Sequence, residues 1–343
     1  MAATIEIPLW PHAYGQPAGN GQIRTTAEDF RVYETLAFEP SGTGEHAFLY
    51  VEKTDENTEY TARQLAKHAG VRQRDIGYAG LKDRHAVTRQ WFSIWLPGKP
   101  DPDWQALNSS SLQVLKTTRH TKKLKRGALA SNRFDITIRQ WQGDKDNTLK
   151  RLETIQAKGI ANYFGSQRFG NNGQNINKAL EFFAGAKTKR EQRSLYLSAA
   201  RSFLFNEILA ERIRQNTWDQ AIPGDILMFD NSNSCFAIEQ PDQDIKLRID
   251  ELAIHPSAVL WGTGQWAARL DALQSQQNII NQYPELRDGL INAAVEKDNR
   301  PLRVRVEQFE WRFVADDTLT LEFNLPPGSY ATSVLREIIE PGN

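Results

Sequence analysis

The sequence predicts an α+β fold in which one domain is discontinuous. Short alternating apolar runs, the mark of strands, crowd both ends of the chain, and longer runs at helical spacing fill its middle. A length of 343 residues fits about two domains at roughly 100 to 200 residues each. The middle therefore reads as an insertion into a domain built from both ends.

Taken in order, Phe30-Arg31-Val32-Tyr33 and Ala47-Phe48-Leu49-Tyr50-Val51 read as strands joined through Pro40-Ser41-Gly42-Thr43-Gly44, a hairpin or meander. From Thr58, residues Ala62, Leu65, Ala66 and Ala69 recur at helical spacing, and Gly70 supplies the stop. Segments 76–81 and 91–96 read as two strands around a polar connection. In 133–139, Phe134, Ile136 and Ile138 alternate onto one face. A helix at 149–155 leads to Gly159, and helical patterns follow at 195–213, 267–280 and 286–295. Strands return at 303–309 and 318–323, and a last helix runs to Ile339 with Ser329 as its N-cap.

The charge is balanced overall, 42 Lys and Arg against 42 Asp and Glu, but unevenly distributed. Residues 1–170 hold 24 basic and 18 acidic side chains, and the rest of the chain holds the reverse. Within the first part, Lys116, Arg119, Lys122, Lys123, Lys125, Arg126, Arg133 and Arg139 cluster around a single acid, Asp135. Such a run is either a solvated face or a footprint for a polyanion. No stretch approaches the roughly 18 apolar residues of a spanning helix, and the start shows no basic-then-apolar leader, so a cytoplasmic protein without membrane contact is expected. One cysteine, Cys235, forms no internal disulfide, and the six histidines lack metal-ligand spacing, so no metal is expected. Gly15 to Gly21 lacks the pattern of a dinucleotide turn, and phosphate-loop and G-x-S-x-G motifs are missing.

Asp83 closes an apolar run and sits between Lys82 and Arg84. Cations on either side favour the ionised carboxylate that a nucleophile or base requires, although a plain turn residue has the same surroundings. Asn132-Arg133-Phe134 follows the basic run directly, so Phe134 is either a stacking ring beside a phosphate-binding face or the first inward residue of its strand.

These segments together are specific. The chain resembles the TruD-type tRNA pseudouridine synthases in AEDFRV at 27–32, GTGEH at 42–46, AGLKDRHAVTRQ at 79–90, NRF at 132–134, NYFGSQRFG at 162–170, LSAARS at 197–202 and LPPGSYATS at 325–333. The resemblance implies a pseudouridine-synthase domain over 1–158 and 305–343, with a mainly antiparallel sheet and flanking helices, and an inserted α/β family-specific domain over 159–304. It implies isomerisation of uridine to pseudouridine at position 13 of tRNA, with Asp83 as the catalytic aspartate. Phe30, Asn132 and Tyr330 fall on positions that contact the target nucleotide, and Phe134 on the aromatic near the base. Arg24 stands where the family usually has lysine, which exchanges a compact ammonium for a planar fork, and Tyr330 stands where phenylalanine is common. Arg24 or Lys82 would hold Asp83 charged, and Gln90 closes the same motif beside the substrate.

The reaction detaches uracil from C1′, turns it, joins C5 to C1′ and returns a proton to water, so no cofactor is required. Lys122, Lys123, Lys125 and Arg126 are the expected contacts to the tRNA backbone, and no obligate protein partner is expected. Two other classes compete. A non-catalytic tRNA-binding or RNA-folding protein has no need of Asp83, and a small-molecule glycosidase needs a second carboxylate that the sequence does not offer beside it.

Overall fold

The computed structural model of the chain describes residues 4–341. The first part forms β1 (Gly19–Ile23), β2 (Phe30–Leu36), β3 (His46–Thr54), α1 (Thr58–His68), β4 (Ile76–Tyr78), β5 (Val87–Trp95), β6 (Leu112–His120) and β7 (Leu129–Gly143). The middle forms α2 (Lys145–Lys158), β8 (Ile160–Ala161), α3 (Gln174–Phe183), α4 (Arg190–Arg214), β9 (Ile226–Phe229), β10 (Cys235–Ala237), α5 (Gln243–Asp250), β11 (Ile254–Leu260), α6 (Leu270–Ile280), α7 (Pro284–Asn292) and β12 (Asp298–Pro301). The last part forms β13 (Arg303–Val304), β14 (Glu307–Ala315), β15 (Thr318–Leu325) and α8 (Ala331–Ile338). Among the described residues no helix is long and apolar enough to cross a membrane.

Gly19–Lys145 and Val306–Gly328 make up most of one compact unit. Its sheet runs β14-β15-β7-β2-β5-β3-β6, with β1 added to β7 and β4 to β5. These pairs are antiparallel except β2 with β5. The hairpin expected between 30–33 and 47–51 does not form. β5 lies between β2 and β3, with Thr88 paired to Val32 on one side and to Lys53 on the other. The reason is in its composition: β5 is buried on both faces along nearly its whole length, which suits a central strand and not a hairpin edge. Helix α1 is capped by the Asn57 side chain, which accepts from the Tyr60 N–H. It lays Ala62, Leu65 and Ala66 over Leu49, Val51, Phe92 and Ile94 of the sheet.

The described residues up to Ala18, Asp146–Arg305 and Ser329–Ile339 form the second unit. Its core gathers around α4, where Phe203, Leu204, Ile208 and Leu209 pack with Leu180, Ile279, Leu286 and Leu290. A four-stranded antiparallel sheet, β10-β9-β11-β12, completes it. The strand expected at 303–309 is cut after Val304, because β13 pairs with β8 whereas β14 pairs with β15. Ser329 is not the N-cap of the last helix. Tyr330 occupies that position, without a side-chain capping bond. Helix α8 is held instead by its inner face: the Ser333 hydroxyl donates to the Tyr163 carbonyl, and buried Glu337 accepts from the N–H groups of Ala13 and Tyr14. Those bonds make 329–339 and the residues before Ala18 part of this unit, so compactness divides the chain at other points than 158/159 and 304/305.

Candidate active site

The segment between β4 and β5 carries Asp83, and side chains of the same unit fix its path. The Lys82 N–H donates to the Thr58 hydroxyl at 3.0 Å, which itself donates to Gln90 Oε1 at 2.9 Å. Gln90 Nε2 returns to the Gly80 carbonyl at 3.2 Å. Lys53, buried on β3, donates its ammonium to the carbonyls of Glu56 and Asp83. Burial, with the nearby Lys82 charge adding to it, pushes the Lys53 ammonium down to about 8.

On this frame the Asp83 carboxylate meets Arg24. Nη2 of Arg24 donates to Oδ2 at 2.7 Å, and both side chains are about a quarter exposed, at 24% and 27%. Arg24 follows β1 in the left-handed region, with φ at 60°, a conformation that strains a residue with a β-carbon by roughly 1–3 kcal/mol. Its guanidinium lies 4.1 Å from the centre of the Phe30 ring, and its buried Nε has no acceptor among the described residues. Below it the rings continue. Phe30 meets Phe134 edge-on at 6.2 Å, and Phe134 stacks on Phe323 at 5.3 Å. The ladder puts them together: Val32 pairs with Phe134, and Phe134 pairs with Phe323. Two positions earlier on β7, Asn132 is half-buried opposite Glu34 and Leu325, and its Oδ1 is buried without a hydrogen bond among the described residues. A buried amide oxygen left unbonded is costly, and a water or a ligand N–H relieves that cost.

Arg24, Phe30, Asp83, Asn132 and Phe134 thus share one unit, and Arg24 touches both Asp83 and Phe30. Lys82 turns elsewhere. Its ammonium binds Glu34 in an ion pair whose side chains are 6% and 0% exposed, and Glu34 also accepts from the Trp91 N–H at 3.1 Å. Arg24, and not Lys82, is therefore the cation paired with the Asp83 carboxylate. Gln90 is fully buried with both ends of its amide engaged, so in this structure it braces the Asp83 segment. Tyr330 belongs to the other unit, half-buried, with its hydroxyl accepting from Arg168 at 2.7 Å.

The basic residues 122–126 form an exposed turn between β6 and β7 around buried Leu124. The Leu124 N–H donates to the Ser93 hydroxyl at 2.9 Å, and the Gly127 N–H to the Ala79 carbonyl at 2.8 Å. Lys123 donates to the Arg74 carbonyl, while Arg126 stacks over Tyr78 at 4.5 Å and donates to its hydroxyl. Lys122 and Lys125 are exposed. Gly77 permits the close approach, since a β-carbon there would collide with the Leu124 carbonyl.

Sequence reasoning missed Glu34, Lys53, Thr58 and Phe323. A signal existed for the first two. Each is a charged residue on the inward face of a strand, after Phe30 and Val32 in one case and Leu49 and Val51 in the other.

The family model for tRNA pseudouridine synthase D (TruD) matches residues 11–180 and 171–338. The chain belongs to the TruD family. A protein of Methylococcus capsulatus named tRNA pseudouridine synthase D is 50% identical over 96% of this chain and 94% of its own. Its namesake from Nitrosococcus oceani is 45% identical over 95% and 93%. The crystal structure of a putative TruD from Methanosarcina mazei shares the fold, with a TM-score of 0.69 over 98% of this chain and 96% of that one, at 22% identity. The TruD family membership accounts for the seven sequence blocks, and four of them, 27–32, 42–46, 79–90 and 132–134, lie in the unit that carries Asp83; 27–32 and 132–134 supply Phe30, Asn132 and Phe134.

Proposed function

We propose that the chain isomerises uridine to pseudouridine at position 13 of tRNA, with Asp83 as the catalytic group. The Asp83–Arg24 ion pair on a floor of phenylalanine rings carries the proposal. A carboxylate fixed by a bidentate-capable cation, over phenylalanine rings buried in this structure that would floor the pocket for the base, meets what the reaction requires. Phe30 and Phe134 supply the wall, with Tyr330 as a further aromatic contact to the nucleotide, and Asn132 offers its unbonded Oδ1 to a uracil N–H. Arg24 holds the carboxylate in place. Lys82 and Gln90 act through the segment they brace, not on substrate.

A ribose-facing carboxylate has two ways to begin: attack at C1′ with departure of uracil, or removal of the C2′ proton with the same departure. In both, uracil leaves with the N1–C1′ electron pair and rotates, and C5 then joins C1′, with the Asp83 carboxylate displaced from C1′ in the first route and the proton returned from Asp83 to C2′ in the second; the C5 proton then passes to water. A primary isotope effect from deuterium at C2′ assigns proton removal, and trapping of an Asp83–C1′ ester assigns attack. Extruding the uridine from folded tRNA costs a few kcal/mol, offset by stacking and by phosphate contacts at Lys122, Lys123, Lys125 and Arg126. The domain assignment expected from the sequence, catalytic over 1–158 and 305–343 with an insert over 159–304, belongs to the same proposal, as do a cytoplasmic location and action without cofactor or obligate protein partner.

The test is tritium release from unmodified tRNA transcripts carrying C5-tritiated uridine. Wild type is expected to release tritium from nucleotide 13, and Asp83→Asn to release none while binding tRNA with nearly unchanged affinity. Activity of Asp83→Asn within tenfold of wild type would remove the assignment. Tight binding without release by wild type would instead support a tRNA-binding protein.

A further inference from the structure

The second unit holds a pair of arginines that the proposed chemistry does not use. Arg168 lies in the turn before α3 and Arg300 on β12, and both guanidiniums face the Phe164 ring, at 5.3 and 4.0 Å from its centre. Arg300 donates to the carbonyl and the side-chain oxygen of Asn162. Burial and the neighbouring Arg168 charge pull the Arg300 guanidinium down to about 10. Arg168 donates only to neutral oxygens, the Ser198 hydroxyl at 2.8 Å and the Tyr330 hydroxyl at 2.7 Å, and forms no ion pair among the described residues. Its Nε–H is buried without an acceptor, and so is the nearby Thr332 hydroxyl, which sits beside Gly165.

Two like charges on one ring repel, and the repulsion grows where water is partly excluded. An arrangement of this kind is stabilised by an anion. Arg168 has N–H groups left over, fixed in a planar fork that fits phosphate oxygens, and the half-buried Tyr330 ring beside it suits a nucleobase. Ring and fork together match a nucleotide within a strand better than a free phosphate ion.

We propose that Arg168, with Arg300 beside it, forms a phosphodiester-binding site in the second unit that grips the substrate RNA next to the nucleotide contacted by Tyr330. This rests on the tRNA reading above and adds a site to it. Arg168 is the gripping residue, and Arg300 contributes charge while it stays bonded to Asn162.

The experiment measures tRNA affinity against salt for wild type, Arg168→Gln and Arg168→Lys, together with a scan of single methylphosphonate substitutions through the target arm. Arg168→Gln is expected to weaken binding about tenfold and to lower the slope of log K against log salt by about 0.7 to 0.9, one phosphate contact. One methylphosphonate is expected to weaken wild type by a similar factor and to leave Arg168→Gln unaffected. Arg168→Lys keeps the charge, so it is expected to retain the slope with a smaller loss of affinity, and it carries the test if the glutamine variant does not fold. A folded Arg168→Gln with wild-type slope and a wild-type methylphosphonate profile overturns the site. If only Arg168→Lys folds, sensitivity to every methylphosphonate equal to that of wild type, with equal affinity, overturns it. Tritium release by wild type is followed in parallel. Its absence would sink the isomerase reading, whereas release with no effect at Arg168 would sink only this site.

Discussion

Replacing Lys82 with methionine is expected to destabilise the first unit by about 3–5 kcal/mol. Methionine fills nearly the same volume, so little of the change comes from packing. The loss comes from Glu34, which is fully buried and, among the described residues, keeps the Trp91 N–H as its hydrogen-bond donor once the ammonium is gone. Removing one member of a buried pair leaves a charge in the interior, and that penalty is of the stated size. At about 2 kcal/mol per molar urea, the unfolding midpoint falls by roughly 1.5–2.5 M with an unchanged slope. The companion variant, Lys82→Met with Glu34→Leu, removes both charges and is expected to recover all but about 1 kcal/mol. Urea titrations followed by circular dichroism read both. A loss below about 1 kcal/mol in the single variant, or a double variant no better than the single, would refute the reasoning that this pair is a buried unit beneath the Asp83 segment.

The Lys53 ammonium predicts a pH dependence. Its folded value is pushed below the unfolded one, so between about pH 8 and 10 the unfolded chain binds more protons, and this residue makes the fold more stable as pH rises, by up to about 1.4 kcal/mol per unit. The stability difference between Lys53→Met and wild type is expected to move toward wild type over that window and to stay flat from pH 6 to 7. Gly77→Ala is expected to cost about 1–3 kcal/mol and to slow turnover more than it weakens tRNA binding, since the collision with the Leu124 carbonyl shifts β4. Neutralising Lys122, Lys123, Lys125 and Arg126 together is expected to flatten the salt dependence of tRNA binding by about 0.9 for each phosphate no longer gripped in duplex-like regions. An unchanged slope would remove that turn from the interface.

Much of the first unit was legible because its elements obey simple periods. α1 follows from the Ala62, Leu65, Ala66 stripe, and β7 from Phe134, Ile136 and Ile138, although the strand extends to Gly143 through residues that alternate less cleanly. Strand order was not legible. Nothing local in 30–33 or 47–51 says that β5, far along the chain, will come between them, because pairing is decided by which strand can be buried on both faces. The same limit applies to Lys82 and Asp83. They are neighbours in sequence within one motif, yet backbone direction sends one inward to Glu34 and leaves the other with Arg24. Tyr330 was placed on the nucleotide by resemblance alone, and its bond to Arg168 joins two motifs whose link no spacing reveals.

The bonding of the basic turn to β4 and β5 has a geometric consequence. The Leu124 N–H is fastened to Ser93 and the Gly127 N–H to Ala79, a short step along the chain from Asp83. In the proposed function, a phosphate grip at Lys122–Arg126 and a catalytic carboxylate at Asp83, connected by so short a chain of bonds, would act as the two jaws of a caliper set to one opening. An RNA whose uridine lies at another offset from its backbone would then rest on the turn without reaching the carboxylate, and the span between Lys122–Arg126 and Asp83 would select the nucleotide.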